Sequence, residues 1–71
     1  MTQKTVHLVI AGPSASRHKR PYSTFFLNDG AKFYESTHES KRTAYAAAKR
    51  KDREWIWTNN DKVLVTDLTG Q

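Results

Sequence analysis

The chain has 71 residues, no cysteine and a hydrophobic fraction of 37%, so it is long enough for one small domain with a small core. Without cysteine it has neither disulfides nor thiolate metal ligands, which fits a reducing, cytoplasmic location. The net charge of +5 and a pI near 9.8 favour a negatively charged partner, and no apolar run predicts a membrane span or a signal peptide.

The first predicted element is a strand over residues 5–11. Its sequence, TVHLVIA, is rich in β-branched residues, and Val6, Leu8 and Ile10 alternate onto one side. Gly12 and the proline after it end the strand. We expect the three aliphatic side chains to enter the core.

A flexible basic loop is predicted over residues 12–21, GPSASRHKRP. Its small residues and two prolines offer little apolar surface to hold this stretch in one conformation. Arg17, Lys19 and Arg20 lie in one basic block and are candidate contacts to nucleic-acid phosphate. An ordinary exposed loop, solvated by its charges, is the alternative.

A β-hairpin is predicted for strands over residues 22–27 and 31–35. Asp29 and Gly30 form the strongest short turn signal in the chain, because a two-residue type I′ turn needs positive φ at both positions. The turn fixes which residues of the two strands lie opposite each other.

This register places aromatic side chains on both sides of the hairpin. Phe26 pairs with Phe33 on one side, and Phe25 pairs with Tyr34 on the other. A sheet with one solvated face normally alternates apolar and polar residues. We therefore predict that the second face is a binding or dimer surface, where Phe25 and Tyr34 could stack on bases or form an interface.

A helix is predicted over residues 37–53. It begins with a capping box at Ser36 or with a second possible cap at Ser40, and good helix formers follow. Steps of about 100° per residue bring Ala44 and Ala48 onto one face, which we expect to pack against the sheet.

The opposite face of this helix carries four cations, Arg42, Lys49, Arg50 and Arg53. These side chains are candidate contacts to phosphate. Two other interpretations stay open. The cations could form a solvated helix face, or they could lie near the helix C-terminus and stabilise the dipole.

Two further strands are predicted over residues 54–58 and 62–68. Trp55 and Trp57 belong to the first, in a run with high β-propensity. We expect one of the two indoles to be exposed to solvent, either as a stacking platform for bases or as an interface residue.

The sequence carries no pattern that identifies an enzyme. His7, His18 and His38 lie in separate contexts without metal-ligand spacing, and no carboxylate pair, nucleophile motif or glycine-rich phosphate loop is present. We therefore expect no catalytic residues, no metal and no cofactor.

Together these patterns predict a single α+β domain over residues 1–71. It has a small antiparallel sheet of four to five strands, in the order β-β-β-α-β-β, with the helix packed on one face. The favoured function is a small non-enzymatic module that binds DNA or RNA. The first alternative is a phage- or mobile-element-type protein that binds an acidic protein surface and modulates a host protein. The weaker alternative is a homodimer joined through the open sheet face, and no membrane partner is expected.

Overall fold

The computed structural model describes residues 4–70 and confirms an α+β fold with one helix in that range. The elements are β1 (Thr5–Ala11), β2 (Tyr22–Asn28), β3 (Ala31–His38), α1 (Lys41–Asn59) and β4 (Lys62–Asp67). The strands form one four-stranded sheet in the order β3-β2-β1-β4, and α1 contacts all four of them. The predicted succession of three strands, a helix and a strand is confirmed.

The additional strand predicted over residues 54–58 is wrong, because these residues form the last turns of α1. Trp55 explains the longer helix. It lies at helical spacing from Ala44 and Ala48 and packs against Phe26, with ring centroids 4.9 Å apart. Fully burying a large aromatic side chain contributes roughly 1.5–3 kcal/mol, and the share of this that the partly buried Trp55 gains rivals the range of about 1 kcal/mol in β-propensity.

The prediction of a wholly antiparallel sheet is wrong, because the sheet is mixed. β1, β2 and β3 are antiparallel neighbours, whereas β4 runs parallel to β1. A parallel neighbour needs a crossover connection, and α1 supplies it. Its 19 residues span about 28 Å, which carries the chain back along the sheet to the end where β1 and β3 also start.

The predicted hairpin turn is confirmed. Asp29 and Gly30 have φ angles of 52° and 79°, so both are positive, as a type I′ turn requires. The turn sets the expected register for Phe26 and Phe33, which pair directly across β2 and β3.

Beyond this pair a β-bulge shifts the register, so that Phe25 pairs with Glu35 and not with Tyr34. Tyr34 is the extra residue, with φ at 49°, and its ring centroid lies 6.2 Å from that of Phe26 on the helix side of the sheet. The predicted placement of Tyr34 beside Phe25 on the opposite side is therefore wrong. A bulge commonly re-aims a side chain in this way.

The helix begins later than predicted, at Lys41, and the second of the two possible caps is used. The Ser40 hydroxyl accepts a hydrogen bond from the Thr43 backbone N–H at 3.3 Å, and the Thr43 hydroxyl accepts one from the Ser40 N–H at 3.4 Å. Ser36 instead continues β3, where its hydroxyl lies 2.8 Å from that of Thr24.

The core lies between α1 and one face of the sheet. Its buried side chains are Val6, Leu8, Ile10, Phe26, Ala44 and Ala48. The alternation predicted for β1 and the alanine face predicted for the helix are both confirmed. Alanine side chains let the helix lie close to the sheet, and the partly buried Phe33 and Trp55 extend the core toward one end.

The sheet face away from the helix is partly covered by the chain's own side chains. Val9 is 2% exposed there. Arg17 donates a hydrogen bond to Glu35 at 2.8 Å, and this contact lowers the pKa of the Glu35 carboxyl. The Lys32 ammonium lies 3.4 Å from the same carboxylate and 4.9 Å from the centroid of the Phe25 ring.

Candidate nucleic-acid interface

The four candidate cations of α1 lie on the side of the helix that faces away from the sheet. Arg42, Lys49, Arg50 and Arg53 are all exposed, whereas the alanine stripe of the same helix is buried. The helix therefore separates the side chains that pack from the side chains that carry charge. We call this side of α1 the outer face.

The charges of the outer face are not neutralised by any carboxylate of the described residues. Within residues 4–70, no carboxylate forms an ion pair with any of the four side chains. Arg53 lies four residues after Lys49 and three after Arg50, so like charges are neighbours on the helix surface. Such pairs destabilise a helix by about 0.2–0.5 kcal/mol each. An anion bound at this face would relieve the repulsion.

The helix dipole does not account for these cations either. Since α1 continues to Asn59, the cations at 49–53 lie in its middle, and the last turn holds no basic residue. The interpretation that they stabilise the C-terminus is therefore wrong. Arg42 lies in the first turn, which holds no acidic residue and where a positive charge is unfavourable.

Trp57 lies on the outer face and is 87% exposed. It follows Arg53 by four residues and Arg50 by seven, which places the three side chains along one stripe. The prediction that one of the two indoles is exposed is confirmed, although the strand from which it was argued is a helix. Trp55, two positions earlier, points toward the sheet because two helical steps turn the side chain by about 200°.

The candidate cations of the loop between β1 and β2 are in different situations. Arg17 is held by Glu35 on the sheet face away from α1, while Lys19 and Arg20 are exposed. The loop lies at the end of the sheet where α1 begins, because β1 and β3 both end there. Arg20 is close enough to His38 to contribute to a lowered pKa of that imidazole, after the larger effect of burial.

The four candidate aromatic residues are not brought together. Phe25 is partly buried on the opposite sheet face, with the Lys32 ammonium over its ring. Tyr34 and Trp55 lie between α1 and β3, and Trp57 is on the outer face. Three of the four are therefore on the helix side of the sheet.

Tyr34 and Trp55 line a groove of about 420 Å³ between α1 and β3. Phe26 and Phe33 also line it, with their ring centroids 5.5 Å apart, and Phe33 lies 5.5 Å from Trp55. The bulge creates this arrangement, because it sends two consecutive aromatic residues of β3 to the same side of the sheet. We call this feature the aromatic groove.

Lys51 lies at the rim of the aromatic groove and was not among the predicted site residues, whose cations were those of the outer face and of the loop between β1 and β2. Its ammonium lies 4.3 Å from the centroid of the Tyr34 ring and 3.4 Å from a Glu54 carboxylate oxygen. Contact with Tyr34, and then with Glu54, raises the pKa of Lys51. Its position seven residues after Ala44 was the available signal, since that spacing returns to the inner side of the helix.

Compared with known proteins, the chain matches no family model, no curated protein and no solved structure. Among the described residues, no three His, Asp or Glu side chains are grouped so that they could hold a metal ion. No helix in residues 4–70 is both long and apolar enough to cross a membrane. The outer face and the aromatic groove are therefore the features of this protein that bear on its function.

Proposed function

We propose that this protein is a small nucleic-acid-binding module that acts by binding rather than by catalysis, and that its contact surface is the outer face of α1. The observation that supports this most strongly is a set of four exposed cations without ion-pair partners in residues 4–70, next to an almost fully exposed tryptophan. Neither the core nor the helix dipole benefits from these side chains. We propose a cytoplasmic location for the same module.

The outer face suits a phosphate backbone. An α-helix of 19 residues is about 28 Å long and presents its cations over much of that length. Each cation that approaches a phosphate releases a condensed counterion, and this release drives association with any sequence. Contacts of this kind position the protein but do not choose a base sequence. DNA and RNA offer the same phosphate chemistry to this face.

The test is a fluorescence-anisotropy titration with labelled oligonucleotides at several salt concentrations. If the four cations of the outer face each neutralise one phosphate, the slope of log K against log salt is about −3.6 on duplex DNA and about −2.8 on a single strand. Reversing Arg50 and Arg53 to Glu should reduce the size of the slope by about half and weaken binding to all sequences alike.

The matched control reverses two cations of the other sheet face, Lys32→Glu with Lys62→Glu. Both lysines are exposed, and the change in net charge is the same. We expect this control to weaken binding much less than the helix variant, since only long-range attraction is lost. If the two variants lose affinity equally, the outer face is not the contact surface. If no oligonucleotide binds the parent protein more tightly than about 100 μM near physiological salt, the nucleic-acid proposal fails.

A protein partner is the second candidate function, and the free edge of β4 favours it. Leu64 and Val65 in this edge strand are 41% and 48% exposed, and Leu68 just after it is 42% exposed. An exposed apolar edge strand can pair with another chain. The titration separates the two candidates, because a partner held by apolar contacts would tolerate added salt far better than a phosphate backbone would.

A further inference from the structure

The aromatic groove has the dimensions and walls of a ligand site. Its volume of about 420 Å³ lies within the range of about 300–1,000 Å³ that is typical of small-molecule pockets. Phe33 and Trp55 supply ring surface in front of the buried Phe26, and Tyr34 at the mouth is 50% exposed. The remaining lining residues are polar, namely Lys51, Glu54, Thr58 and Asn59. Aromatic walls with polar groups beside them suit a flat heteroaromatic ligand.

The backbone of Tyr34 indicates that the groove is more than a gap in packing. Tyr34 is held at φ 49°, in the left-handed region, where a bulky residue is rarely found. Such a conformation is strained for a bulky residue, and strained residues cluster at active sites and ligand-binding sites. Half of the Tyr34 surface stays exposed, so full burial of the ring in the core is not the reason for this conformation. What the conformation achieves is a tyrosine ring at the mouth of the groove.

The rim of the groove is continuous with the outer face of α1. Glu54 lines the groove, and its neighbours on the helix surface are Arg50, four residues earlier, and Trp57, three residues later. The Glu54 carboxylate does not give the rim a negative charge, since Lys51 pairs with it at 3.4 Å. A ligand in the groove therefore has an unpaired guanidinium and an exposed indole beside it.

From this juxtaposition we infer that the aromatic groove binds a nucleobase, and hence that the preferred ligand is single-stranded nucleic acid. The inference rests on the proposed function and deepens it. Phosphates bind the outer face at Arg50 and Arg53, while one base stacks against Tyr34 in the groove and another can stack on Trp57. Bases inside a duplex are stacked on each other and cannot enter such a groove, whereas those of a single strand can.

The test compares a short oligothymidylate with a duplex of the same length. Tyr34→Asn removes the ring but keeps a residue that tolerates positive φ, so the bulge should persist. We expect it to weaken binding of the oligothymidylate by about 5- to 150-fold, the effect of losing one base–aromatic stack. The affinity of Tyr34→Asn for the duplex, and the slope of log K against log salt, should equal those of the parent protein. Tyr34→Phe is the matched control, because it keeps the ring, and it should bind like the parent protein.

A second measurement does not depend on changing Tyr34. In Trp57→Phe, the remaining indole is that of Trp55, in the wall of the groove. Saturating oligothymidylate should quench this fluorescence, while the duplex should leave it almost unchanged. Unaltered Trp55 emission at saturation, or equal losses for the two oligonucleotides in Tyr34→Asn, overturns the groove inference and leaves the outer-face proposal intact. If neither oligonucleotide binds the parent protein, both proposals fail together.

Discussion

The close contact between α1 and the sheet can be tested with one substitution, Ala48→Leu. Ala44 and Ala48 are 0% and 1% exposed, one turn apart, and both belong to the same core cluster as Leu8 and Phe26. No room is available for a larger side chain unless the helix moves away from the sheet. A leucine at this position adds three carbon atoms to the tightest part of the interface.

The expected loss follows from overpacking. Extra carbon atoms in a well-packed core destabilise by about 1–3 kcal/mol, because side chains leave their preferred rotamers or the backbone shifts. For a domain of this size, each kcal/mol lowers the melting temperature by about 4–8 °C. The variant should therefore melt about 4–24 °C below the parent protein. Urea denaturation, followed by far-ultraviolet circular dichroism, gives the free energy of unfolding.

Ala46→Leu is the matched control. It makes the same change two residues away, on the exposed outer face of the helix. Leucine and alanine have similar helix propensities, so this variant should stay within about 0.5 kcal/mol of the parent protein. If Ala48→Leu is as stable as Ala46→Leu, the helix does not lie against the sheet through its alanine face.

Two further predictions concern the hairpin turn and a partly buried imidazole. Gly30→Val should destabilise the protein by about 1–2 kcal/mol. Backbone strain alone causes this loss, since φ is 79° and an added Cβ meets no atom within 4 Å. Asparagine tolerates this φ, so Gly30→Asn should lose much less stability in the same denaturation assay. Burial, and then Arg20, lowers the pKa of His38 below its ordinary value of 6.5. The unfolded chain therefore binds more protons than the folded protein does, and the free energy of unfolding should fall as pH is lowered from neutrality through 6.5. His38→Gln should flatten this dependence and His18→Gln, at an exposed position, should not; equal slopes in all three proteins would contradict the assignment.

The strands and the turn could be predicted because their signals are local. Alternation in residues 5–11 and the Asp29–Gly30 pair each specify a conformation within a few residues, and both are confirmed. The end of the helix could not be predicted in this way. Trp55 and Trp57 favour a strand by propensity, and only the contact of Trp55 with the distant hairpin determines that the helix continues.

The aromatic groove was beyond prediction for a related reason. No sequence rule favours a left-handed conformation at Tyr34, so the simplest register continues through it. The observed bulge instead brings Ser36 and His38 to the helix side of the sheet. There the Ser36 hydroxyl and His38 Nε2 each form a hydrogen bond with the Thr24 hydroxyl and with each other. Ser36 and His38 are 12 and 14 residues from Thr24 in the chain. The interactions that accompany the bulge in β3 therefore involve a residue of another strand, which a local pattern in β3 does not reveal.

For the cations, too, the sequence predicts position on a helix but not pairing with a distant carboxylate. Helical periodicity was enough to place Arg50 and Arg53 on the outer face. It could not show that Arg17, in an equally basic stretch, is paired with a carboxylate 18 residues away. The structure therefore distinguishes cations of similar sequence context by whether a carboxylate reaches them.

Because α1 packs through one face and carries its charges on the other, nucleic-acid binding can be tested with substitutions that do not disturb the core. With 71 residues the chain has a small core, to which α1 contributes two buried alanines and the partly buried Tyr45 and Trp55. The long charged side chains and Trp57 remain on the outer face, where they add little to stability and introduce like-charge repulsion. Reversing Arg50 and Arg53 to Glu makes the pair with Lys49 attractive but leaves positions 50 and 53 alike in charge and adds a carboxylate four residues before Glu54, so these small effects largely cancel and the fold should stay intact. A loss of nucleic-acid affinity in the Arg50 and Arg53 variant, with an unchanged or raised melting temperature, would therefore report on the contact surface and not on unfolding.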